Sequence, residues 1–289
     1  MNKILSIAAF LFCTIYSYGQ KISVQQIATP DAAMATKMKS AIATLHLDTL
    51  QGAVSVLYSK NYKVRAETIQ SMVEKCATFY EPKFPDVKFS LQVMILDKEA
   101  WQKIHLEEYG SPYGMPTSKD RLNKLFIAAD KSAVNKLFGV NESINPDSLS
   151  EFDCVALHEL GHIFLKRYNH TFTHSLWADE FLASYFAICF FEEHKNYPGL
   201  PQVGETGYQP KYKTLVDFER LYSNVGARNY GWYQGRFQEL GYKLYPKFKV
   251  ELLRKFIANY SPGGKQLPPL VLLQQLAPEI MNQWLKEMK

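Results

Sequence analysis

At 289 residues, 47% hydrophobic and 14% aromatic, the chain is long enough for one large domain or for two smaller ones sharing a cleft. It carries enough apolar material for a sizeable core, which excludes a disordered chain. The net charge of +5 is mild, and the basic residues are scattered rather than striped, so nucleic acid is not an expected partner.

The first segment, "MNKILSIAAFLFCTIYSYGQ", has a positive start at Lys3, a short apolar core from Ile4 to Phe12 and small residues at Ser17-Tyr18-Gly19. That is the pattern of a secretory signal peptide over residues 1–19, and it predicts an exported chain, periplasmic or secreted. A lipoprotein signal using Cys13 is the less favoured reading, because Phe12 is bulky where a small residue is expected. No later run approaches eighteen apolar residues, so no stable membrane span is expected. Past the leader three cysteines remain, Cys76, Cys154 and Cys189. An odd number allows at most one internal disulfide, and Cys154 and Cys189 lie in apolar stretches where a small buried hydrophobe is the simpler reading.

After a loose, alanine-rich opening that leads into a helix, "GAVSVLY" (52–58) is rich in β-branched residues and reads as a strand. "RAETIQSMVEKCATFY" (65–80) places Ile69, Met72, Val73 and Cys76 at helical intervals. "VKFSLQVMIL" (87–96) starts with alternation and turns fully apolar, a second strand. Asp97 is then a plausible N-cap for a short helix through Trp101. "YGSPYGMPTS" (109–118) reads as a loop from its Gly and Pro, and "KLFIAAD" (124–130) as a third strand. Everything after about Ser148 reads as helical. Strands followed by a block of helices predict an α+β chain, with an N-terminal α/β part at 20–148, a helical part at 149–289 and a cleft where they meet.

The helical part opens with "SLSEFDCVALHELGHIFLKRY". In a helix, residues four apart lie on one face, so His158 and His162 can aim two imidazoles at one point, and imidazole is a favoured zinc ligand. Glu159 is rotated away from that point and would reach a metal-bound water as general base. A lone HExxH is suggestive only, and the third ligand decides. His170 and His174 sit in a short polar link after the helix. Asp179 and Glu180 lie near the start of a second apolar helix, "WADEFLASYFAICFFEEH". A glutamate at 180 can face the two histidines, and its burial would be costly without a cation.

HExxH followed by a glutamate from the next helix resembles the gluzincin zinc peptidases, the clan of thermolysin and the membrane alanyl aminopeptidases. "WADEFLA" is similar to the "WLNEGFA"-like string of the aminopeptidases, and the gap from His162 to Glu180 holds 17 residues, one fewer than theirs. The resemblance covers mainly residues 150–190. It implies a zincin-like fold, one Zn2+ held by His158, His162 and Glu180, and Glu159 as base in hydrolysis of a peptide or protein substrate. Where thermolysin-type enzymes carry an Asp that orients a ligand histidine, this chain has Ser184, so support for the imidazoles is expected from elsewhere, with Asp153 and Asp179 as candidates. A "GxMEN"-like motif is absent from the stretch before the zinc helix, so aminopeptidase specificity is not implied.

In the aminopeptidases a tyrosine stabilises the oxyanion. In "NYGWYQGRF" the matching position is Trp232, flanked by Tyr230 and Tyr233, and Tyr233 is the expected catalytic residue. The resemblance also casts "KLFIAAD" as the edge strand along which substrate adds. Two other functions stay open: a non-catalytic binding protein that retains the fold, and a zinc hydrolase of a non-peptide amide.

Overall fold

The computed structural model describes residues 32–87, 89–119, 122–132, 149–168, 173–202 and 207–288. The expected signal peptide with Cys13, and His170, lie outside the described residues. Among these described residues the fold is α+β, with a small five-stranded sheet and a mostly helical second half.

The first half comprises α1 (Ala32–Ala43), β1 (Asp48–Leu50), β2 (Ser55–Tyr58), α2 (Lys63–Tyr80), β3 (Gln92–Leu96), α3 (Lys98–Lys103), β4 (Thr117–Lys119) and β5 (Lys124–Ala128). The sheet order is β1-β2-β3-β5-β4, with β2, β3 and β5 parallel and the two outer strands antiparallel to their neighbours. Both faces of the sheet are covered, which is why "QVMIL" loses its alternation. Val93 and Ile95 face α2 through Ile69 and Val73. Met94 and Leu96 face a smaller cluster with Met38, Trp101 and Ile104. Asp97 caps α3 as expected, accepting the Ala100 N–H at 2.8 Å.

One expectation is corrected here. "KLFIAAD" is not an edge strand: among the described residues β5 lies between β3 and β4, and the edges are β1 and β4. The segment 109–118 read as loop because a three-residue, half-buried strand, Thr117-Ser118-Lys119, shows no period-2 pattern and follows a Gly/Pro-rich run.

The second half comprises α4 (Glu151–Lys166), α5 (Leu176–Glu193), α6 (Leu215–Leu221) with a 3-10 turn (Tyr222–Val225), α7 (Ala227–Phe248), α8 (Glu251–Tyr260), α9 (Pro269–Leu276) and α10 (Pro278–Glu287). α5 packs against α4 and α7 and buries residues all round its circumference, so its sequence is apolar without a polar stripe. One continuous core runs from the sheet (Val56, Val93, Leu125) through α2, α4 and α5 to Leu273 and Trp284. Cys76, Cys154 and Cys189 are all buried and unpaired, Cys154 and Cys189 as small core residues. Among the described residues no helix is long and apolar enough to cross a membrane.

A buried ion pair ties the two halves together. Arg65 of α2 donates to Asp153 of α4 at 2.6 Å, with side chains 6% and 1% exposed, and also to the Ala128 carbonyl at the end of β5 at 3.2 Å. Asp153 also closes a capping box, accepting from the Ser150 N–H at 2.8 Å while Ser150 Oγ accepts the Asp153 N–H. The start of α4 is thereby fixed against the sheet.

Candidate metal centre

Helical register places His158 and His162 one turn apart on the side of α4 that meets α5, with their Nε2 atoms 3.1 Å apart. Glu180, five residues into α5, brings Oε2 to 3.4 Å from His158 Nε2 and Oε1 to 3.7 Å from His162 Nε2. These three residues could hold a metal ion: their candidate donor atoms all lie within 4.8 Å of one another. Zinc bonds of about 2.0–2.1 Å in a tetrahedron separate the ligand atoms by about 3.3 Å, and the observed spacings bracket that value. Two imidazoles and a carboxylate are also a donor set that suits zinc.

What lets α5 come this close is Gly161, inside the HELGH sequence itself. A Cβ there would sit 2.9 Å from both the Cα and the carbonyl oxygen of Ala183, and 3.2 Å from Phe186 Cβ. The glycine is needed for the helix crossing, and the crossing presents Glu180 to the histidines.

The electrostatics describe a buried anion between two bases. Burial pushes the Glu180 carboxyl up, but hydrogen bonds and charge from His158, His162 and Tyr222 outweigh it and hold it well below the usual carboxylate range. Burial pulls the His158 imidazole down, yet the hydrogen bond and charge of Glu180 prevail and raise it. At His162 burial prevails over the pull of Glu180, and the imidazole titrates below its ordinary value. A carboxylate only 6% exposed requires positive charge beside it, which a proton on the imidazoles or a metal ion supplies.

The three candidate ligands are held by a second layer of contacts. His158 Nδ1 lies 3.0 Å from Ser184 Oγ, so the residue standing where the resemblance calls for Asp makes the orienting contact itself, with a hydroxyl. Asp153 and Asp179, the expected supports, do other work. Asp153 is engaged with Arg65 and Ser150. Asp179 accepts from Thr173 Oγ1 at 2.6 Å, and burial above all pushes its carboxyl up to about 6. Glu180 Oε1 accepts from the Tyr222 hydroxyl at 2.7 Å and Oε2 from Gln234 Nε2 at 2.8 Å. Glu159 stands apart from the ligand set: its Oε2 accepts from the Ser118 N–H at 2.8 Å and from Ser118 Oγ at 2.7 Å, on edge strand β4.

The expectation for Tyr233 is corrected. Its ring is fully buried against Phe218 and Phe237, and its hydroxyl donates to the Thr214 carbonyl at 2.8 Å, away from the ligands. The helical period explains this: on α7, Tyr230 and Gln234 are four apart and share one face, and Tyr233 is turned from it by one residue. Tyr230 shares hydrogen bonds with Tyr222 and Gln234 and feels the charges of Glu180 and Glu159. His174 is exposed, in a left-handed backbone conformation at φ 54 just before α5, and is not part of the cluster. Sequence reasoning missed Ser118, Tyr222 and Gln234. Gln234 alone had a local signal, its i,i+4 relation to Tyr230.

Compared with protein-family models, with curated proteins and with solved structures, the chain finds no match.

Proposed function

We propose that the chain is a zinc-dependent metallopeptidase of gluzincin type with a zincin-like fold, exported after loss of its leader. The observation that carries this reading is the convergence of His158, His162 and Glu180 at tetrahedral spacing, with Glu159 turned out of the ligand set but onto the adjacent edge strand. Bound zinc supplies Lewis acidity that polarises a carbonyl and acidifies water. The protein residues do the rest. Glu159, held through Oε2, takes the proton of the attacking water and returns it to the leaving amine. Ser184, Tyr222 and Gln234 keep the ligand atoms aimed. Since the Tyr233 hydroxyl is engaged by the Thr214 carbonyl, the hydroxyl facing the developing oxyanion is assigned to Tyr230. Burial and the charge of Glu180 raise that group well above an ordinary phenol, so it stays a proton donor. Substrate chain would run along β4 rather than β5.

Metal analysis of the purified protein and of Glu159→Gln tests the reading. Both should hold one zinc per chain, and the variant should lose about 10²–10⁴-fold in turnover on a peptide library. Protein that takes up no stoichiometric zinc overturns it. Full zinc occupancy without cleavage of any peptide would replace peptidase by binding protein. Cleavage confined to non-peptide amides would make the chain an amide hydrolase.

A further inference from the structure

Helix α5 carries the ligand Glu180, and its N-terminus is held by a residue far along the chain. Ser175 is the N-cap residue but makes no side-chain cap. Its hydroxyl donates instead to Glu219 Oε1 at 2.5 Å, and the same carboxylate accepts the Trp177 N–H at 3.1 Å and, through Oε2, the Leu176 N–H at 3.0 Å. An anion from α6 thus satisfies the first free N–H groups of the ligand helix and sits at the positive end of its dipole. Three residues on, Tyr222 ends α6 at φ 45 and ψ −119, a left-handed conformation that a bulky residue rarely adopts. In that conformation its hydroxyl reaches Glu180 Oε1 and its ring packs edge-on against Phe218 and Tyr230 at 5.5 and 5.6 Å.

We infer that residues 215–225 form a strap that positions the metal ligand: Glu219 fixes the first turn of α5 and Tyr222 fixes the rotation of the Glu180 carboxylate. Two features separate this from ordinary packing. Serine is itself a good N-cap, so a structural helix start needs no distant carboxylate. The sparsely allowed backbone at Tyr222 is explained by where it sends the hydroxyl. Glu219 and Tyr222 are positioning residues, and the inference rests on the metal reading proposed above.

The test uses the purified full chain and zinc alone, with affinity measured by chelator competition and the melting temperature of the metal-free protein recorded beside it. Glu219→Gln and Tyr222→Phe should each weaken zinc binding about 10-fold. The double variant should lose clearly less than the product of the two, because both act through one carboxylate. Glu219→Asp should recover part of the loss. Wild-type affinity in both single variants overturns the strap and leaves the metal site standing. So does a loss that is additive and tracks a fall in melting temperature. A wild-type protein that binds no zinc overturns both readings together.

Discussion

The three candidate ligands and the side chains that hold them lie at very different distances along the chain. His158 and His162 are one helical turn apart, and Glu180 comes from the next helix, so their convergence needs only two helices and one close crossing. One support is near, Ser184 on the next helix beside His158, while those of Glu180 and of Glu159 come from afar. Ser118 lies 41 residues before Glu159, Tyr222 42 residues after Glu180 and Gln234 54 residues after it. The floor of the site is encoded locally, by helix period. Its surroundings, the edge strand β4 and the 215–234 region, are assembled by the tertiary fold. Chemistry-bearing residues in such a site can be recognised without the residues that make them accurate.

Two substitutions break the floor without touching a ligand. Replacing Arg65 by Met leaves Asp153 buried without its cation, and removal of one partner of a buried pair destabilises by about 3–5 kcal/mol. Since Asp153 also caps α4, the start of the histidine helix should loosen. Chemical denaturation should show the loss in stability, and zinc titration a weaker site. Gly161→Ala acts at the crossing itself. Alanine favours a helix over glycine by about 1 kcal/mol, but the new methyl would meet Ala183 backbone atoms at 2.9 Å, and overpacking against backbone costs about 1–3 kcal/mol. The clash should prevail, giving a modest fall in melting temperature and a larger fall in zinc affinity as α5 moves away. Unchanged zinc binding in Gly161→Ala would show that the crossing does not set the ligand geometry.

The same contrast explains what could be read in advance. The helices at 63–80, 151–166 and 176–193 were legible because long apolar patterns carry their own period. The His158-His162-Glu180 cluster that could hold a metal ion was legible because HExxH lies within one such helix and Glu180 stands near the start of the next. Edge strand β4 was not, since three half-buried polar residues hold no pattern. Tyr233 was misread because three aromatic residues in "YGWY" all fit a packing role, and only the helix phase, fixed by Phe218 and Phe237, decides which hydroxyl faces Glu180. Position 184 carries no carboxylate, yet the Ser184 hydroxyl at hydrogen-bond distance makes the contact with His158.

The smallest expected effect falls on edge strand β4. Ser118→Ala removes one of the two donors on Glu159 Oε2, the hydroxyl at 2.7 Å, and leaves the backbone N–H at 2.8 Å in place. Ser118 belongs to an edge strand and its side chain is half-buried, so the change should move stability by no more than about 0.5 kcal/mol. Zinc binding should be unaltered, because Glu159 lies outside the His158-His162-Glu180 cluster. Turnover should fall by up to about 10-fold with KM little changed, as expected when a base keeps its position but loses part of its orientation. Ser118→Thr, which keeps the hydroxyl and favours a strand, should restore it. A Ser118→Ala protein with full turnover would mean that the backbone N–H alone aims Glu159. A fall in zinc affinity instead would mean that Ser118 acts on the His158-His162-Glu180 cluster and not on Glu159.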